Sequence, residues 1–136
     1  MTEGQQLDKK SIRIFATDPA KWSWRDIAAD CVAFANAQGG QLVFGIEDKE
    51  PMPPVGQRID AGLIDRLRKG VSQHTHNVAV SGDIKTAPSG GQFLTLTILP
   101  SLKSVASTSD ARYFIRVADE TRRLCPEDLV RLAAEK

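Results

Sequence analysis

Ala33-Phe34-Ala35-Asn36-Ala37-Gln38-Gly39-Gly40-Gln41-Leu42-Val43-Phe44-Gly45-Ile46-Glu47-Asp48 is the stretch whose reading decides the fold. Its first part closes an amphipathic run. Trp24, Ile27, Ala28, Cys31, Phe34 and Ala35 recur at helical spacing, with Asp26 and Asp30 outside the stripe. Ser23 is a natural cap for the start of that helix, with Asp26 as a weaker stand-in for the capping-box glutamate. Gly39-Gly40 ends it, because glycine takes the left-handed conformation without steric cost. Residues 41–46 then put Leu42, Phe44 and Ile46 on one face and Val43 and Gly45 on the other. Both faces are largely apolar, which predicts a buried central strand.

Working outward, residues 11–16 alternate, with Ile12, Ile14 and Ala16 opposite Arg13 and Phe15, and read as a first strand. Residues 47–56 hold three prolines and a glycine and form a loop. Asp60 is placed to cap a second helix whose apolar face is Leu63, Ile64, Leu67 and Val71. Residues 78–86 and 92–99 alternate on either side of Pro88-Ser89-Gly90-Gly91 and predict a hairpin, with Leu94, Leu96 and Ile98 facing the core. Residues 100–110 are polar and serine-rich and read as a mobile functional loop. Residues 113–117 form another strand, 122–124 a short return strand, and Pro126 opens a last helix with Glu127 and Asp128 at its positive end.

The chain has 136 residues, 41% hydrophobic and 26% charged, which suits one soluble folded domain. The expected architecture is α/β of the α+β type, a single domain over residues 11–136 with a mixed, antiparallel-rich sheet packed by about three helices. Residues 1–10 are expected to be a flexible N-terminal segment. No apolar signal core or membrane span is visible, so the expected setting is cytoplasmic, without a membrane partner. Cys31 and Cys125 lie far apart and suggest neither a disulfide framework nor a zinc site. The net charge is +1, so any affinity for nucleic acid has to come from local clustering.

Residues 33–48 resemble the segment "AFANtxGGxlxxGvxD" of the Schlafen-type divergent AlbA-like domains. Tyr113-Phe114-Ile115-Arg116-Val117-Ala118-Asp119-Glu120-Thr121 resembles the same domains' closing strand "yxiRxgxxt", with a short helix after it. The likeness runs over roughly residues 8–135. It implies an α/β fold with an antiparallel-rich sheet and a nucleic-acid-binding role, and some Schlafens cut transfer RNA with a cluster of acidic residues. The first strand of those domains reads "E…lEfK". Aligned on the alternation of residues 11–16, this chain has Asp8 near the first glutamate, Arg13 at the second and Phe15 at the lysine. The third acidic position of the cutting members falls near Glu47 or Asp48.

Arg112, Arg116, Arg122 and Arg123 are the densest basic group, and Arg112 and Arg116 share strand parity. The planar guanidinium suits phosphate oxygens. With Lys103 from the preceding loop, these are the expected phosphate-contacting residues for RNA or DNA; solvated charge balancing Asp110, Asp119 and Glu120 is the plainer reading. Asp8, Glu47 and Asp48 are the weaker catalytic candidates. No cofactor or metal is expected, and magnesium or manganese enters only with an endoribonuclease reading, against which a cation at Arg13 counts. A third reading, supported by the near-neutral charge, is a homo-oligomer or a module of a larger protein complex that has lost the nucleic-acid site. Among the aromatics, Trp24 is in phase with the core and Trp22 is the freer candidate for stacking on bases, beside Tyr113. Asn36 at a helix end reads as a backbone-bonding residue, and His74 and His76 as a solvent-facing turn.

Overall fold

The predicted central helix is present as α1, Trp24–Asn36, with Ile27, Ala28, Cys31, Phe34 and Ala35 buried along the expected stripe. The structure, a computed structural model, describes residues 4–15 and 18–136. The Ser23 hydroxyl makes no cap bond; its carbonyl instead accepts from the amides of Asp26 and Ile27, both at 3.0 Å. At the other end Gly39 sits at φ 78° and donates to Phe34 O at 2.8 Å. A Cβ there would meet Ile98 O at 2.7 Å, so glycine is required both for the turn and for the close approach of the sheet.

The N-terminal strand is not where the alternation predicted it. It is β1, Leu7–Lys10, while residues 12–15 form a 3-10 helix, Ile12–Phe15, and Ala16 lies outside the described residues. The apolar Ile12, Ile14 and Phe15, partly buried, pack against the core from this turn, so that contact does not require an extended backbone. Polar Leu7–Lys10 is a strand because a neighbour pairs with it. It runs parallel to β2, Gly40–Phe44, with Leu7 opposite Gln41 and Lys10 opposite Phe44. Parallel neighbours need a crossover, and α1 supplies it. The expectation of a flexible segment over residues 1–10 is therefore corrected for its second half, which the sheet ties down; residues 1–3 lie outside the described residues.

Helix α2, Leu63–His74, buries Leu63, Leu67 and Val71 as predicted. Gly62, not Asp60, stands at its cap position; Asp60 accepts from the Gly62 amide at 3.1 Å and pairs with Arg66 at 2.6 Å. That hydrogen bond from Arg66 holds the Asp60 carboxyl below its usual range. After β3, Thr75–His76, comes the predicted hairpin of β4, Val80–Thr86, and β5, Gln92–Ile98, paired from Val80 opposite Ile98 to Thr86 opposite Gln92. The sheet order β1-β2-β5-β4 is mixed, with one parallel and two antiparallel neighbours.

The serine-rich loop is fixed at its C-terminal part rather than mobile throughout. Strand β6, Ser107–Thr108, pairs with β3, and residues 106–108 are buried. Asn36 holds it there: its amide nitrogen donates to Ala106 O and Phe114 O, both at 2.9 Å, and its oxygen accepts from the Ala106 amide at 2.8 Å. Asn36 is thus the backbone-bonding residue expected, but the backbone it bonds is distant in sequence. Strands β7, Phe114–Val117, and β8, Glu120–Arg123, form a separate ribbon, and α3, Pro126–Glu135, follows with Pro126 in its first turn and no buried residue.

The main core lies between one face of the four-stranded sheet (Leu42, Phe44, Leu94, Leu96, Ile98) and the two helices α1 and α2. A second cluster holds Val43, Ile46 and Phe93. Ile46, expected on the face of Leu42 and Phe44, is found here instead, because β2 ends at Phe44 and Gly45 follows at φ 109°, which breaks the alternation. The Pro53 and Glu50 carbonyls of the proline-rich loop accept from Ser89 and Lys9. The α+β class, the mixed sheet and the three helices all match the sequence expectation. Among the described residues no helix is long and apolar enough to cross a membrane.

Candidate nucleic-acid interface

A concavity of about 420 Å³ opens where β1, the first half of α1 and the β7–β8 ribbon meet. Local geometry dictates its lining. Strand alternation turns Asp8 and Lys10 toward α1. Helical spacing places Arg25 with Ala29, and Asp26 with Asp30, on neighbouring rows. Ribbon pairing sets Phe114 opposite Arg123 and Arg116 opposite Thr121. Lys10, Arg25, Arg112 and Arg123 then face the same space as Asp26, Asp30, Phe114 and Thr121.

The floor is an ion network. Lys10 Nζ stands 2.6 Å from Asp30 Oδ2 and 3.2 Å from Asp8 Oδ2, while Asp30 Oδ1 accepts from the Thr121 hydroxyl at 2.7 Å. Burial pushes the Asp8 carboxyl up, and nearby Asp30 adds to this while Lys10 and Arg116 pull it back. Burial alone would lower Lys10; the Asp30 and Asp8 carboxylates outweigh it and hold the ammonium above its usual range. Both carboxylates are therefore already committed to cations.

The rim differs. Arg25 and Arg123 are exposed, and neither has an ion pair or hydrogen bond from its side chain among the described residues. Arg112 Nε reaches both Asp110 oxygens, at 3.0 and 3.1 Å, and its guanidinium lies 5.5 Å from the Phe114 ring centre. With Asp26 as the one exposed carboxylate of the lining, the arrangement offers two unpaired guanidinium forks and one partly neutralised one above a charge-balanced floor, a net positive rim that suits an anion bound from outside.

Of the predicted basic group, only Arg112 and Arg123 come together here. Arg116 shares their face but lies beneath them, 3% exposed. Its Nε donates to Gly4 O at 3.1 Å, its Nη1 is 3.7 Å from Asp8, and its guanidinium lies over Phe34 at 4.8 Å. It binds the chain's own N-terminal segment, so the expectation that it contacts phosphate is corrected: α1 crosses the face of the ribbon that carries it. Arg122 points to the opposite face of the ribbon, opposite Ile115, and pairs with Glu120 at 2.8 Å. Lys103 is exposed on its loop and does not line the concavity.

The acidic candidates are not gathered. Asp8 is buried in the floor, whereas Glu47 and Asp48 are exposed beyond β2, and Glu47 accepts from the Ser11 hydroxyl at 2.8 Å. Among the described residues no group of three or more His, Cys, Asp or Glu side chains is spaced to hold a metal. These donors do not fit a divalent cation, since the one buried candidate already faces an ammonium and a guanidinium. Arg13 plays no part in this: it is exposed on the 3-10 helix, away from the concavity. With β1 at Leu7–Lys10 and a 3-10 helix over Ile12–Phe15, the placing of Arg13 and Phe15 on the first strand is corrected.

Lys10, Arg25 and Asp30 escaped the sequence reading. The spacing of Asp8 with Lys10, and of Asp26 with Asp30, was the available signal. Of the tryptophans, Trp22, expected to be the freer one, is buried at 6% against Phe15, while Trp24 packs against the core as expected but is only partly buried and stacks on His74.

A family model described as Schlafen, AlbA_2 matches residues 3–125. Among solved structures, the crystal structure of the DIP2311 protein from Corynebacterium diphtheriae is similar, with a TM-score of 0.65 and 24% identity over 88% of this chain. That likeness is one of fold. The match takes up 25% of the other chain, so this chain spans about a quarter of its length. The comparison with curated proteins gives no match.

Proposed function

Because the chain belongs to the Schlafen, AlbA_2 family, we propose that it is a nucleic-acid-binding domain whose phosphate contacts are made by Arg25, Arg112 and Arg123, with Lys10 at the base of the same concavity. The observation that carries this reading is the convergence of Arg25 and Arg123, both without ion-pair partners among the described residues, on one concavity of a chain whose net charge is only +1. A near-neutral chain has no global attraction for a polyanion, so binding has to be concentrated where uncompensated cations meet. Contacts of this kind position the backbone of RNA or DNA and carry little sequence information.

Replacing Arg25 and Arg123 together with Ala, on an exposed rim, leaves the core intact. Affinity for a short RNA or DNA strand, followed by fluorescence anisotropy, is expected to fall. The log–log salt slope should flatten by about 0.7 per lost contact on a single strand. Wild-type protein that binds no RNA or DNA at low salt overturns the proposal. Incubation with transfer RNA and magnesium or manganese is expected to leave the RNA intact. Metal-dependent cleavage that an Asp48→Ala substitution abolishes would put the endoribonuclease reading first.

A further inference from the structure

On the other side of the start of α1 lies a second concavity, of about 460 Å³, lined by Trp24, His74, Lys69, Arg66, Gly70 and Pro19 among others. We infer that the Trp24–His74 stack is a base-stacking subsite, and that with the cationic concavity it makes the domain a reader of single-stranded rather than duplex nucleic acid. This rests on the phosphate-binding reading above and goes beyond it by naming the form of the ligand.

Trp24 and Arg25 are consecutive residues in the first turn of α1. Successive helical side chains diverge by about 100°. Arg25 therefore faces the arginine-rich concavity while Trp24 faces α2, and the two sites are neighbours across one helix start. The rings of Trp24 and His74 are nearly parallel, at 8° and 5.1 Å between centres. Each is held by its own polar tip. Trp24 Nε1 donates to Pro19 O at 2.8 Å, and His74 Nδ1 lies 2.7 Å from Gly70 O. Gly70 makes the seat possible, because a Cβ there would overlap the indole. The indole also packs on Trp22, at 5.6 Å between ring centres, so a base joins the stack at His74; the stack is preset, and a base joining it orders little that is not already ordered.

The charge around the stack fits the same ligand. Lys69 is exposed beside it and has no ion pair among the described residues; Arg66 lies on the same wall, shared with Asp60. Lys21, on the 3-10 helix Pro19–Lys21 that leads into α1, is exposed as well. A strand crossing the start of α1 would meet cations on both sides and a ring stack on one. In a duplex the base faces are covered by their neighbours, so only an unpaired base can use such a stack.

The test compares three probes by fluorescence anisotropy: a short oligothymidylate strand, an abasic strand of the same length, and a duplex. Wild type is expected to bind the strand with bases roughly tenfold more tightly than the abasic strand, since a stacked base contributes on that order. His74→Ala should close this gap while leaving abasic affinity unchanged, and His74→Phe, which keeps a ring, should retain it. Arg25→Ala with Arg123→Ala should weaken both single strands alike. Equal wild-type affinity for the two single strands overturns the stacking subsite while leaving phosphate binding standing, as does a gap that survives His74→Ala. Tighter binding of the duplex than of the oligothymidylate strand overturns the single-strand preference. Absence of binding to all three probes overturns this inference and the phosphate reading together.

Discussion

Replacing Arg116 with Met separates the two roles that this arginine has in sequence and in structure. Read along the strand, Arg116 is a phosphate contact, and its loss should weaken binding without affecting folding. In the fold it is an internal clamp. The substitution removes the donor to Gly4 O at 3.1 Å, the cation 3.7 Å from Asp8, and the guanidinium over Phe34. A hydrogen bond from a charged donor contributes about 1.5 kcal/mol or more, and a desolvated cation–π contact about 1 kcal/mol. Asp8 is not stranded, because Lys10 remains 3.2 Å away, so the larger penalty of an uncompensated buried charge is avoided. The sum is about 3 kcal/mol. A domain of this size unfolds with roughly 0.3 kcal/mol per kelvin of entropy, so the midpoint should drop by about 10 °C. That leaves the variant folded at room temperature. A thermal melt followed by circular dichroism measures the drop, and anisotropy below the transition measures binding, which should change little. An unchanged melting midpoint with weakened binding would refute the reasoning and return Arg116 to the ligand surface.

Three further outcomes follow from particular contacts. Gly70→Ala should lower the urea midpoint although alanine is the better helix former by about 1 kcal/mol, because the added methyl overlaps the Trp24 ring and overpacking costs about 1–3 kcal/mol; a raised midpoint would show that the ring is not seated there. Lys10 has a folded pKa above the ordinary lysine value of 10.5, so its ion pairs contribute stability that is complete below that value and lost as pH rises through the folded pKa. Chemical denaturation across that window should show wild type losing more stability than Lys10→Met, and parallel losses would contradict the assignment. Ala118 turns the β7–β8 ribbon at φ 54°, a left-handed conformation that costs an L-residue about 1–2 kcal/mol; Ala118→Gly should raise the melting midpoint by a few degrees, and a lowered midpoint would show that the turn carries no such strain.

Elements whose pattern is local were legible in the sequence. The stripe from Ile27 to Ala35, the glycine stop at Gly39, the apolar strand at Leu42 and Phe44, and the hairpin around Gly90 all follow from periodicity and turn chemistry. So did the family, since the stretch from Ala33 to Asp48 lies within the matched residues. Leu7–Lys10 was not legible as a strand. Nothing in Leu-Asp-Lys-Lys favours extension, and what holds it is parallel pairing with β2, which lies beyond a whole helix in sequence. The alternating residues at 12–15 were a decoy, because a tight turn packs Ile12, Ile14 and Phe15 against the core, partly buried, without an extended backbone.

The candidate site shows the same division more sharply. Sequence determined that Phe114 and Arg116 share a face of their strand, because strand parity is a property of the backbone alone, whereas Arg112 precedes β7. Only the tertiary structure decided that α1 covers the middle of that face and leaves its edge open, so that Arg116 serves the N-terminal segment while Arg112 and Arg123 reach solvent with Arg25. It likewise decided that Trp22 is packed away and Trp24 is only partly buried, against His74. Periodicity fixes which side chains point together; what lies against them is set by elements remote in the chain, whose packing no local spacing encodes.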